Sequence, residues 1–429
     1  MLHSIAIPPG METRFFVQCA GALAELPELL NTAFPEKKPF LVADENTWRA
    51  AGEQAEQILV RAGFTVELKI FSAQGKLHPD SAISERLAQE FPAGCVPVAV
   101  GSGVINDLVK HASGVAGIPY CCVPTAPSVD GYTSSGGAMQ VNGFKMTLPC
   151  PAPLAVLSDL EVLRNAPKDM LSGGYADLAT KIPAGADWYI ADLLGEEKIV
   201  PAVWDLVQTP LRDYLSDPQD MGRVFAGLAA TGYAMQLYNG SRPASGFEHL
   251  CSHVWEMEHL LFQGEEPSHG YKVGIGSLIT IVLMEFVLSH TAAEAAALAT
   301  APVSVEERQR EIAELLVRGC YGDNVETVAM AKFRTGSALE ARRQEIWRLW
   351  PVMQEKIRSQ IPGLEEFKLM LTRAGCPVHP QEIGLTREQL NHGVRTAQLI
   401  RNRYTVADLL YEAGLLELAM QDLEKLWQK

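Results

Sequence analysis

The feature that most constrains this chain is a change of hydrophobic period near residue 165. Before it, short apolar runs alternate with segments of helical spacing. Lys38-Pro-Phe-Leu-Val-Ala43 reads as a strand, and Asp44-Glu-Asn-Thr47 can cap the helix that follows, from Trp48 to Ala62. Thr65–Phe71 alternates like a strand, Ser81–Glu90 like a helix. Val96–Val100 is a strand, Ile105–Ser113 a helix, and Tyr120–Val123 another strand. Asn142-Gly143 inside Ala138–Met146 predicts a hairpin. Strands alternating with helices predict a parallel α/β sheet.

After Asn165 strand signals become scarce. Helical spacing covers Ala186–Leu194, Met221–Tyr238, Gly246–Leu261, Gly274–Ser289, Val305–Val317 and Ala338–Gln360. A chain of 429 residues is too long for one typical domain. The expected division is an α/β domain over residues 1–164 and an all-α domain over 165–429, closely packed with a cleft between them. The apolar stretch Val273–Leu288 contains Glu285 and two glycines, so it reads as a buried helix and not a membrane span.

Composition narrows the chemistry. Hydrophobic residues at 47% and charged residues at 20% suit an ordinary globular protein. A formal charge of −15 argues against a general nucleic-acid surface, while leaving room for a locally basic pocket. The first ten residues lack a basic region followed by an apolar core, so no secretory leader and a cytoplasmic location are expected. The eight cysteines form no Cys-x-x-Cys pair and read as buried free thiols.

Two loops follow predicted strands. In Ala99-Val-Gly101-Ser-Gly103-Val-Ile-Asn-Asp107 the glycines lead into a helix, as a phosphate loop does. A third glycine is missing, and a plain tight turn fits equally well. Val123–Gly137 is rich in hydroxyls, glycine and proline, with one acid, Asp130. A loop at the carboxyl end of a parallel strand lines a ligand crevice or is an ordinary surface loop.

Three groups then point to a metal. Asp177 follows Gly173-Gly174, near an expected helix start. His249 and His253 are four apart on one helix face, with His259 well round from it, and His269 opens the next apolar helix. One carboxylate and two imidazoles can hold a divalent ion and leave positions open for a substrate oxygen. Their convergence is an expectation, since they lie far apart in sequence.

The ordered segments Gly101–Asp107, Pro124–Ser134, Gly173–Lys181 with Ala186-Asp-Trp188, Ser241–His249 and His269–Gly276 resemble the sn-glycerol-1-phosphate dehydrogenase family. That family lies within the broader group of iron-containing alcohol dehydrogenases, glycerol dehydrogenases and dehydroquinate synthases. Glu382–Leu385 and Ile400–Val406 also look like its bacterial members. The resemblance spans most of the chain. It implies a dehydroquinate synthase-like fold, with a nucleotide domain, a helical domain and a catalytic metal between them.

By the same resemblance Asp177, His249 and His269 ligate zinc, nickel or iron, and His253, Asp130 and Asp177 act at the substrate. Gly101, Ser102, Gly103, Val104 and Ile105 would hold the pyrophosphate. Thr125, Ala126, Pro127, Ser128 and Ser134 would line the rest of the cofactor site. Asp44, at the end of the first strand read, would approach the adenosine ribose; an acid there favours NAD over NADP without excluding NADP.

Lys181 stands where iron alcohol dehydrogenases carry a further histidine, and Asp177 where dehydroquinate synthases carry glutamate. Both differences favour the glycerol-phosphate branch. Arg242 offers a fork suited to a substrate phosphate; a surface arginine at a helix end is the other reading. The implied reaction is metal-assisted reduction of dihydroxyacetone phosphate to glycerol 1-phosphate, reversible, with His253 or a water giving the proton. A glycerol, polyol or aldehyde dehydrogenase, or a cyclase of the dehydroquinate-synthase type, is the alternative. The family suggests a homodimer and a role in phospholipid metabolism.

Overall fold

The computed structural model describes residues 2–72, 77–141, 144–322 and 324–428. Two compact units emerge. The first comprises Met1–Leu178 and Asp205–Ser241, the second Ala179–Trp204 and Arg242–Lys429. The chain therefore crosses between units three times, where the sequence reading placed a single boundary near residue 164. The reason lies in the helix Met221–Tyr238, which packs on the first unit. Thr133 Oγ1 donates to its Ala229 carbonyl at 2.7 Å, and Gln18 Nε2 donates to its Gly222 carbonyl at 3.0 Å.

The first unit is built on a six-stranded parallel sheet of β1 (Phe15–Cys19), β2 (Lys38–Asp44), β3 (Glu67–Phe71), β4 (Cys95–Gly101), β5 (Cys121–Pro124) and β8 (Ala155–Asp159). Their order is β1-β8-β5-β4-β2-β3. The sequence pattern marks β2, β3, β4 and β5 but not β1 and β8, so Asp44 ends the second strand, not the first. The central strand β4 is buried along its whole length. A parallel sheet covered on both faces needs such continuous apolar runs.

A pair of antiparallel strands, β6 (Gly136–Val141) and β7 (Phe144–Pro149), forms the expected hairpin. Its Asn142-Gly143 turn lies outside the described residues.

Strand order fixes where a ligand fits. From β2 the chain leads outward to β3, whereas from β4 it leads the other way to β5. The crevice at the carboxyl ends of β2 and β4 is thus a topological switch point, the favoured ligand position in an open α/β sheet. Val42 pairs with Ala99, which brings the ends of the two strands, Asp44 and Gly101, side by side.

The second unit is helical. Among its described residues the one departure is an isolated bridge, Phe262 with Glu265. Its central helix, His269–Ser289, is long and apolar enough to cross a membrane, but 83% of its apolar window is buried inside the protein. It is a core helix, as the interrupting Glu285 and glycines suggest. Gly276 on this helix touches the helix Phe247–Met257, and a Cβ there would sit 2.4 Å from the Glu248 carbonyl oxygen. Only glycine permits so close an approach, and it brings His249 and His269 onto neighbouring backbones.

Candidate active site

The helix Gly103–Ala116 starts directly after β4, with Ser102 at its N-cap. The Ser102 side chain makes no capping bond. The first amides of this helix, from Gly103 to Ile105, precede the first intrahelical bond, which runs from Asn106 N–H to the Ser102 carbonyl at 3.0 Å. A helix start with uncapped N–H groups at the switch point suits an anion. Beside it, Asp44 caps its own short helix. Asn46 and Thr47 N–H both donate to its Oδ1 at 2.8 Å, so neither capping bond uses Oδ2.

The loop after β5 is pinned from below by a residue that the sequence reading missed. Lys110 is fully buried. Its ammonium donates to the carbonyls of Gly131 at 2.5 Å and Gly136 at 3.0 Å, and to Ser134 Oγ at 3.1 Å. The Ser134 hydroxyl is turned inward to those same two carbonyls. Tyr132 reaches back to the Ala126 carbonyl. Thr125 and Ala126 are buried, so this loop is shaped by its own packing.

Against the loop lies the helix Lys168–Ala179, which carries Asp177. Sequence reading placed Asp177 near a helix start; it sits instead in the last turn, because the helix runs straight through Gly173-Gly174. The cause is a backbone contact: a Cβ on Gly174 would lie 1.4 Å from the Pro127 carbonyl oxygen. At a C-terminal turn the helix dipole disfavours a carboxylate, so its charge needs other partners. One is the Asp130 N–H, which donates to Asp177 Oδ2 at 2.9 Å. Asp177 is 1% exposed.

His249 and His253 occupy the helix Phe247–Met257, and His269 is the first residue of its helix, after the Ser268 N-cap. His259 falls beyond the end of the first of these helices, with a φ of 54°. The rings of His249 and His269 have centroids 5.3 Å apart, and those of His253 and His269 stack at 6.4 Å. Within the second unit the imidazoles of His249 and His269 are thus brought together, and Asp177 stands in the first unit.

Two carboxylates stand behind the imidazoles, and sequence reasoning picked out neither. Glu248 Oε1 lies 2.9 Å from His249 Nδ1. Glu256 lies 3.2 Å from His269 Nδ1 and 3.3 Å from His253 Nδ1, with the Lys272 ammonium at 2.8 Å. Each of these Nδ1 atoms is turned to a carboxylate, which fixes the orientation of its ring. The spacing of Glu256, three residues after His253 on one helix, was the available signal.

A second group, His3, Cys19 and Glu25, also clusters closely. There, both Glu25 oxygens already accept from His3, through its backbone N–H at 2.8 Å and its ring, which fits an ion pair better than a ligand set.

Behind Glu248 the charges are dense. Asp187 is fully buried and accepts from Phe247 N–H and Val406 N–H, both at 2.7 Å. Burial first, and then the nearby Glu248 charge, push its carboxyl up to about 7. Arg242 is 1% exposed, which excludes the surface-arginine reading. Glu197 Oε2 lies 3.3 Å from its Nε, and among the described residues none of its three guanidinium nitrogens has a hydrogen-bond partner. Arg403, half-buried nearby, has its pKa lowered to about 10 by desolvation and then by the Arg242 charge. A buried guanidinium with unmatched N–H groups costs free energy unless an anion meets it.

Residues 17–167 match the iron-containing alcohol dehydrogenase family. The chain is 30% identical over 391 residues to glycerol-1-phosphate dehydrogenase [NAD(P)+] of Geobacillus stearothermophilus, covering 88% of this chain and 87% of that protein. It is 35% identical over 254 residues to the protein of the same name from Halalkalibacterium halodurans, covering 57% of this chain and 64% of the relative. Among solved structures, glycerol dehydrogenase from Schizosaccharomyces pombe superposes with a TM-score of 0.60 at 16% identity, over 100% of this chain and 95% of that one. The last likeness speaks for the fold alone.

Proposed function

The chain belongs to the glycerol-1-phosphate dehydrogenase family, and on that premise we propose that it reduces dihydroxyacetone phosphate to sn-glycerol 1-phosphate, reversibly. It is an NAD(P)-linked, metal-dependent oxidoreductase. The observation that carries the reading is the pair of imidazoles, His249 and His269, each with a carboxylate facing its Nδ1, and Asp177 is the proposed third ligand. Mixed oxygen and nitrogen donors of this kind suit zinc, nickel or iron. When bound, such an ion supplies a Lewis acid for a carbonyl oxygen, and NAD(P)H supplies the hydride.

The protein's own groups do the rest. His253, part-exposed beside His269, is the proposed proton donor to the substrate oxygen. Asp130 holds Asp177 through its N–H, and its carboxylate is assigned to the substrate. The amides of Gly103, Val104 and Ile105, with Gly101 and Ser102, are assigned to the pyrophosphate. Asp44, through Oδ2, is assigned to the adenosine ribose, which favours NAD over NADP. Thr125, Ala126, Pro127 and Ser128 line the cofactor path, and Ser134 supports it by holding the loop to Lys110. Arg242 is the assigned partner of the substrate phosphate, on the strength of its unmatched N–H groups.

In this reading residues 1–164 bind the nucleotide and residues 165–429 supply the metal ligands and most of the substrate site, to which Asp130 is added. The working form is a homodimer in the cytoplasm, a symmetry common among soluble enzymes.

Product configuration tests the assignment. Protein supplied with dihydroxyacetone phosphate and NADH or NADPH should yield a glycerol phosphate that an sn-glycerol-3-phosphate-specific oxidase leaves untouched. Formation of the opposite enantiomer overturns the substrate geometry. A cyclisation with no net change in NADH overturns the reaction class.

A further inference from the structure

We propose that Glu256 is a positioning residue that fixes the ring nitrogens of His269 and His253 together, so that one carboxylate governs both metal affinity and proton delivery. This rests on the reading in which His269 ligates the metal and His253 carries the proton.

The geometry is specific. Oε1 lies 3.2 Å from His269 Nδ1, and Oε2 lies 3.3 Å from His253 Nδ1. The carboxylate is only 11% exposed, and the Lys272 ammonium, 5% exposed, faces Oε1 at 2.8 Å. Ser252 Oγ adds a donor at 3.4 Å. A carboxylate facing an ammonium offers acceptors only. Each Nδ1 must then carry the proton, and each Nε2 becomes the working atom.

For His269, Nε2 is the nitrogen assigned to the metal. For His253, Nε2 is the nitrogen that exchanges a proton with the substrate oxygen. The two rings lie 26° from parallel with centroids 6.4 Å apart, so one carboxylate can face both. Glu248 serves His249 alone, at 2.9 Å. Glu256 differs in gripping a proposed ligand and the proposed proton donor at once, with Lys272 locking the grip from the helix that His269 begins.

The test is Glu256→Gln, whose single side-chain oxygen cannot accept from both rings and carries no charge for Lys272. Zinc affinity, read by competition with a chelator, should fall about 10–100-fold. The visible spectrum of the cobalt(II)-loaded protein should change. At saturating metal, kcat should drop while KM for the substrate stays near its original value. His253→Ala should leave zinc affinity and the cobalt spectrum unchanged, which separates the two arms. Glu256→Asp, too short to reach both rings, should lose less than Glu256→Gln and serves if the latter fails to fold.

Unchanged zinc affinity and an unchanged cobalt spectrum in Glu256→Gln would overturn the proposal and leave Glu256 as a packing ion pair with Lys272. Zinc binding untouched by His269→Ala would instead overturn the metal reading beneath it, and this assignment with it.

Discussion

Gly174→Ala puts the packing beneath the site to a direct test. In a free helix this exchange stabilises by about 1 kcal/mol, because alanine is the better helix former. Here the new Cβ would stand 1.4 Å from the Pro127 carbonyl oxygen and 2.6 Å from its carbonyl carbon. Both are backbone atoms, so no rotamer change relieves the clash, and the loop must retreat by about 2 Å to regain van der Waals contact. Overpacking of this sort costs about 1–3 kcal/mol. Retreat of the loop also breaks the bond from Asp130 N–H to Asp177, a bond to a charged group worth about 1.5–3 kcal/mol. The net expectation is a loss of about 2–5 kcal/mol. For a unit of this size that is roughly a 4–20 °C fall in melting temperature. Turnover should fall about 10²-fold as well, since Asp177 and Asp130 lose their relative placement. Scanning calorimetry and a steady-state assay read the two effects. A variant that melts at or above the wild-type temperature, with normal turnover, would refute the packing of this loop on the Asp177 helix.

Other expectations concern the histidines, the buried carboxylate and the thiols. His249→Ala and His269→Ala should lose bound metal and turnover together, whereas His253→Ala should keep its metal and slow by about 10²–10⁴-fold; metal analysis of the purified variants separates the cases. Asp187, raised from 3.8 to about 7, binds its proton more tightly folded than unfolded. Stability contributed by that proton is present at low pH and is lost as pH rises through about 4 to 7. Asp187→Asn should flatten that part of the pH–stability curve, and a slope equal to wild type would refute the assignment. Cys121, Cys122 and Cys251 are buried, and burial raises all three thiols, Cys122 to about 12. Alkylation at neutral pH should therefore mark exposed Cys320 in the native protein and the buried thiols only after unfolding, as peptide mass mapping would show.

Where local pattern decides structure, the sequence was readable. β4 and the helices Ser81–Glu90 and Met221–Tyr238 follow from apolar runs and period alone. β1 and β8 escaped notice because five residues such as Phe-Phe-Val-Gln-Cys carry too little alternation, and their pairing spans about 140 residues. Asp177 was found, but its place in a helix was not, since Gly173-Gly174 reads as a break unless the Pro127 carbonyl is known to press on it. Glu248 and Glu256 were invisible for a related reason. Acids beside histidines on a helix are commonplace, and their meaning depends on a second helix arriving at His269. Arg242 shows the converse: the motif was legible, but its burial beside Arg403, which excludes the surface reading, was not.

Reactivation of metal-stripped protein tests metal dependence and substrate choice together. NADH and NADPH oxidation would be followed after adding back zinc, nickel or iron, with dihydroxyacetone phosphate in one series and dihydroxyacetone in the other. The account predicts no turnover without metal, and restored turnover that strongly prefers the phosphate ester. Full activity in the stripped protein would contradict the metal site. Restored turnover of dihydroxyacetone alone would contradict the phosphate assignment and make the chain a glycerol-type dehydrogenase.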